Sequence, residues 1–285
     1  MTTVSDTRTR SGSPTAAHRR GSRRSVTYRA RRVHRYLGLV IGLQFLLWTL
    51  GGLYFSWTRL DAVHGDHLLR PPALLAGDVG LASPAIALTA LRGREAVDSL
   101  VGVELVTVLG RPVYRLRYLA RVDGRAATAT RTQLVDAVTG ELRPPVGQGE
   151  AVAIARAALA GTAGVRAVEY LTAENVGRHH EYRGQPLPAW AVSFDHPERA
   201  TAYVPAEVGR VLRVRNDRWR TFDFLWMLHT MDFRGRDDIN NAVLRAFSIL
   251  GLVTVLSGFT LFALTSPVAR RRRRITRKRR GPEGA

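Results

Sequence analysis

The chain has 285 residues, no cysteine, and 43 Lys+Arg against 23 Asp+Glu, a formal net charge of +20. The lack of cysteine excludes a disulfide scaffold, a Cys-ligated zinc site and a thiol nucleophile. So basic a balance would ordinarily suggest a nucleic-acid binder, but the charge sits in two end blocks, +9 over residues 1–36 and +8 over residues 266–285, which leaves +3 between them. Each block adjoins a long apolar run, so the charge reads as membrane topology and no nucleic-acid partner is expected.

Residues 1–28 are rich in Ser, Thr and Arg, have little to bury, and are expected to form a disordered cytoplasmic tail. Leu37–Thr58 is a run of 22 residues without a charge. As a helix it reaches about 33 Å, enough for a hydrocarbon core of roughly 30 Å. It predicts a first transmembrane helix over residues 29–58. The run is too long for the apolar region of a cleaved signal peptide and no A-x-A-like site follows it, so it reads as a signal anchor. Ser22-Arg23-Arg24-Ser25-Val26 resembles a twin-arginine export signal but lies too far from the apolar run. Ala246–Ala269 is a second uncharged run, of 24 residues, and predicts a second helix over 239–266 before a polybasic tail at 267–285. Arg29, Arg31, Arg32 and Arg35 adjoin the first run, and Arg270–Arg274 the second. Both termini are therefore expected to be cytoplasmic, in a multi-pass protein of the cytoplasmic (inner) membrane. The 187 residues from Arg59 to Arg245 would lie outside.

Those middle residues predict an α+β domain over 59–216. Ser83 and Pro84 start a helix, as N-cap and first helical position. Strands follow at Val101–Leu109, Pro112–Arg121 and Thr130–Val138, with turns at Asp123-Gly124 and Thr139-Gly140. In the second strand Val113, Arg115 and Arg117 alternate with Tyr114, Leu116 and Tyr118, so the two sets face opposite ways. The order then recurs: a helix at Gln148–Leu159, strands at Val165–Leu171, Ala189–Phe194 and Ala200–Ala206, and a turn at Gly209. This reads as two helix/antiparallel-sheet repeats, about 81–143 and 148–214, packed together. Residues 217–238 form an amphipathic interfacial segment. Within it Phe222, Leu225, Trp226 and His229 share a helical face, with Asp223 and Thr230 elsewhere on the wheel. The acids of the domain are scattered among arginines and read as solvated faces.

From about Arg31 to Leu264 the chain resembles the PepSY-associated transmembrane family. The resemblance rests on Arg32-Val33-His34-Arg35-Tyr36-Leu37-Gly38-Leu39 at the first span, and on Val63-His64-Gly65-Asp66-His67-Leu68 beyond it, where Arg commonly stands at His64. It continues in Phe224-Leu225-Trp226-Met227-Leu228-His229-Thr230-Met231-Asp232, Gly235 and Ser257-Gly258. It implies an extracytoplasmic domain of two PepSY-like repeats with Gly140 and Gly209 at hairpin turns. It also implies a role in binding or regulation, since PepSY domains have been proposed to inhibit or regulate peptidases. Larger relatives, with more spans than the two here, include haem b-containing ferric-siderophore reductases. That makes a haem-binding redox protein the alternative.

His34 and His229 are the histidines beside the spans, and the candidate haem ligands. They are expected on opposite sides of the bilayer, so clamping one haem would require a homodimer or a partner subunit. The structural readings are an interfacial anchor for His34 and a polar residue packed on the domain for His229. His64, Asp66 and His67 form a compact H-x-D-H segment that could contribute to a divalent-metal site. His179-His180-Glu181 is a weaker cluster of the same kind. No G-x-S-x-G, H-E-x-x-H, P-loop or dinucleotide motif is present, so no catalytic residue is assigned. The expected function is a membrane-anchored, non-enzymatic binding or regulatory protein with a membrane or periplasmic protein partner.

Overall fold

A computed structural model describes residues 15–122 and 125–266, which divide into two compact units. One holds the chain up to Leu50 and from Ile239 onward; the other is Gly51–Asp238.

The first unit is built from α1 (Thr15–Trp57), whose last turns belong to the second unit, and α6 (Ala242–Thr265). Helical backbone from Thr15 replaces the unstructured segment expected up to residue 28; residues 1–14 and the polybasic tail from 267 lie outside the described residues. Asn241 caps α6 by accepting the Leu244 N–H at 2.8 Å. The helices meet at small and polar residues. A Cβ on Gly251 would come within 3.1 Å of the Phe45 ring, so only glycine allows this approach without displacement. Most of the remaining surface is apolar and outward-facing, as at Leu39, Ile249, Phe259 and Phe262. His34–Trp57 and Ala242–Phe262 are long and apolar enough to cross a membrane.

The second unit is α+β. After α2 (Leu60–His64) and a 3-10 turn (Asp66–Leu68), α3 (Pro84–Arg94) precedes β1 (Val97–Val108), β2 (Arg111–Val122) and β3 (Arg125–Asp136). Then α4 (Gln148–Ala158) precedes β4 (Val165–Leu171), β5 (Ala189–Phe194), β6 (Thr201–Pro205) and β7 (Arg213–Arg215). The chain continues into α5 (Asp217–Thr230). Each set of strands is an antiparallel meander in chain order. The turn expected at Asp123-Gly124 lies outside the described residues.

Period-2 alternation decides the packing. Tyr114, Leu116 and Tyr118 of β2 face α3, against Ala87 and Leu91. Val113 of β2, with Leu134 of β3 and Val108 of β1, faces the other way into a core shared with α4 and with Val192, Phe194 and Val204 of the second sheet. Ser83 caps α3 with its hydroxyl at 3.3 Å from the Ala85 N–H, as its place before Pro84 predicts. Gly140 and Gly209 both adopt left-handed φ, +78° and +72°. A Cβ at Gly209 would meet Leu134 and Val108 at 3.1 Å, so the turn after β6 fits against the first sheet only as glycine.

Candidate functional site

The site is a cleft of about 470 Å³ in the second unit, formed where β7, α5 and the β4–β5 connection meet. Arg213 and Arg215 occupy alternate positions on β7 and so project to the same side. Trp219, Phe222 and Trp226, at helical spacing, form an aromatic wall from α5. Glu181 and Arg183 come from the β4–β5 connection, pinned by the fully buried Tyr182 between them. The Tyr182 ring stacks on Tyr203 at 4.8 Å and its hydroxyl donates to the Pro186 carbonyl.

Asn216 sets the start of α5. It is fully buried, and its Oδ1 accepts the Trp219 N–H at 2.8 Å. Its amide donates to the Ala62 carbonyl and to Glu198. One side chain thus ties α2, the turn before β6 and the helix that carries the aromatic wall.

The sequence suggested solvated acids throughout; Asp66 and Asp237 at the cleft are exposed, but Asp223 is not. Asp223 is 5% exposed and lies between two arginines: Arg183 Nη2 is 2.7 Å from Oδ1 and Arg236 Nη1 is 2.5 Å from Oδ2. Arg183 also donates to Asp237 at 3.0 Å. Burial opposes the charge on Arg183, but hydrogen bonds to Asp237 and Asp223 outweigh it and raise its pKa. Glu181 accepts two parallel bonds from Arg220, at 2.6 and 3.0 Å, a fork-on-fork pairing that holds that arginine charged.

Arg215 is different. Its guanidinium lies 4.0 Å over the Trp219 ring, and its Nε donates to the Glu181 backbone carbonyl at 3.0 Å. Among the described residues it forms no ion pair. Burial pushes its pKa down to about 10, and the neighbouring Arg213 adds like-charge repulsion. Among the described residues Arg213 bonds the Leu212 carbonyl alone.

The sequence-nominated histidines fall in several places. His64 and Asp66 are exposed on the cleft rim, whereas His67 turns to Glu198 at 3.1 Å. Among the described residues no group of three His, Asp or Glu side chains forms a metal-ligand cluster. His180 Nδ1 accepts the Tyr182 N–H, and Glu181 is spent on Arg220. His229 packs against Phe55 and Trp226. His34 belongs to the other unit, where its Nδ1 lies 2.6 Å from Ser257 Oγ. The Ser257 hydroxyl proton goes to the Thr254 carbonyl at 2.8 Å, so His34 Nδ1 carries the hydrogen and donates it. His34 and His229 lie in separate units, so neither unit holds both.

No protein-family model, curated protein or solved structure matches the chain.

Proposed function

We propose that this is a membrane-anchored binding protein of the PepSY type, with residues 59–216 outside the cytoplasmic membrane and both termini inside. The supporting observation is the contrast between the two units. Two helices turn large apolar side chains outward over a membrane-spanning length, and they bracket a unit with its own core and a cleft of ligand size. In this reading the two helix-then-meander halves correspond to two PepSY units, and the polybasic tails hold the orientation against anionic lipid.

Reporter fusions test the topology. A phosphatase domain inserted after Gly77 is expected to be active outside the membrane, and a fusion to the C-terminus inactive. Cytoplasmic reporting from Gly77, or release of the protein from membranes by alkaline carbonate, would refute the reading. The haem alternative has its own readout, the absorption spectrum of protein purified from haem-replete cells. A Soret band lost in His34→Ala or His229→Ala would replace the binding reading with a redox one.

A further inference from the structure

We infer that the cleft is an anion site, whose ligand is a carboxylate or phosphate carried on an apolar or aromatic body. The proposal deepens the binding reading above and rests on it for biological context, though not for its geometry. Most charges around the cleft are already neutralised. Arg183 and Arg236 are taken by Asp223, Arg220 by Glu181, and Arg199 by Asp217. Arg213 and Arg215 remain, two residues apart on one strand, without an ion pair among the described residues; Glu181, the acid that acts on Arg215, is bonded to Arg220.

Two adjacent arginines, one of them half-buried, repel each other unless an anion lies between them. The stack on Trp219 and the bond to the Glu181 carbonyl hold the Arg215 guanidinium still, leaving its two Nη groups as a planar fork. That fork matches the paired oxygens of a carboxylate or phosphate. Trp219, Phe222 and Trp226 lie in the same cleft and would cover the apolar body of such a ligand. The volume, about 470 Å³, suits a small organic anion or a lipid headgroup with its first methylenes.

The test uses the full chain in neutral detergent, titrated by calorimetry with 3-phenylpropionate, phenyl phosphate and the uncharged 3-phenylpropanamide. The acids are expected to bind saturably and the amide not to. Arg215→Gln should weaken the acids by at least about 10-fold, the value of a lost charged hydrogen bond. Arg213 is exposed, so Arg213→Gln keeps the fold and should weaken them less. Asp66→Asn removes an acid from the rim and should tighten binding roughly 2- to 5-fold, a gain that misfolding does not produce.

Nanodiscs of phosphatidylcholine with or without phosphatidylglycerol separate the sources. Displacement of 3-phenylpropionate by phosphatidylglycerol assigns the site to lipid, and undisturbed binding assigns it to a soluble acid; both uphold an anion site. No binding of either acid, equal binding of the amide, or unchanged affinity in both arginine variants would overturn it. These outcomes do not depend on topology, so reporter fusions can fail while the site stands, and the converse.

Discussion

The two halves of the α+β unit share an order of elements and differ in what joins them. In the first half β1 and β2 are linked by Leu109 and Gly110, with φ of +49° and +79°. Positive φ at both central residues is the turn that keeps a right-twisted hairpin in register. The strands accordingly run 12 residues each. In the second half β4 and β5 are separated by residues 172–188, and the strands shorten to seven and six residues. That connection delivers Glu181 and Arg183, β7 and α5 deliver the arginines and the aromatic wall, and His64 and Asp66 lie on the rim. A tight turn builds sheet, whereas a long connection holds polar side chains over the sheet and so makes a site. The longer connection also needs internal support, which Tyr182 supplies from full burial.

The largest expected effect tests that support. Asp223→Ala would leave Arg236 without a carboxylate and Arg183 with only the exposed Asp237, at a cost of about 3 kcal/mol in chemical denaturation. In the first half, Arg121→Gln removes an exposed partner of Asp98 and should cost under about 1 kcal/mol. Equal effects from the two variants would erase the distinction between the halves.

The turn glycines sharpen it further. Both hold left-handed φ, but a Cβ at Gly140 would lie 2.7 Å from Ile86 Cγ2, against 3.1 Å for the contacts at Gly209. Alanine at either position should cost about 1–3 kcal/mol, with Gly140→Ala the more severe by thermal melting. The helix caps predict a smaller asymmetry. Ser83→Ala should lose about 1 kcal/mol from α3, whereas α4 begins at Gly147 without a side-chain cap. Gly147→Ser should therefore gain a few tenths of a kcal/mol, measured in the same melts.

A pH dependence adds to this: Asp232, just past α5, is depressed furthest, alongside the lowered acids Asp98, Glu104 and Asp136 of the first half. Asp232 accepts backbone N–H groups from Gly235 and Asp238, and from Arg234 and Asp237, which hold its pKa down to about 2 from 3.8. A carboxyl depressed on folding contributes stability above its unfolded pKa and loses it as pH falls through the folded value. Stability should decline between about pH 4 and pH 2, and Asp232→Asn should flatten that decline in acid titrations followed by circular dichroism.

Sequence periodicity made much of this fold legible. The alternation at Val113–Tyr118 assigns both faces of β2, and the burial of Tyr114, Leu116 and Tyr118 follows it. Boundaries were less legible: β3 starts at Arg125 rather than Thr130, and α1 reaches back to Thr15. Residues 15–28 are mostly polar and residues 125–129 are mostly alanine, so apolar patterning carries little signal where these elements begin. For α5 the pattern reads as amphipathic, yet its buried residues are Asp223 and Thr230, while Phe222, Leu225 and Trp226 are only partly buried. Apolar periodicity assumes that polar means exposed, and a carboxylate between two arginines breaks that assumption.

The cleft was hidden for a related reason. Glu181, Arg183, Arg213, Arg215 and Trp219 look like ordinary surface residues in a chain with 43 Lys+Arg. The hints lay apart in the sequence: His64 and Asp66, Glu181 beside His180, and the Phe222 and Trp226 face, with nothing to show that they meet. What the sequence by itself determined is patterning: the charged ends, the two apolar runs, and the strands and helices between them. These depend on neighbours within a few residues, because periodicity and propensity are local. Only the tertiary structure decided which charges are neutralised. Ion pairing joins residues 39 or 40 positions apart, as in Glu181–Arg220 and Arg183–Asp223. An arginine is left over only once every other partner has been placed.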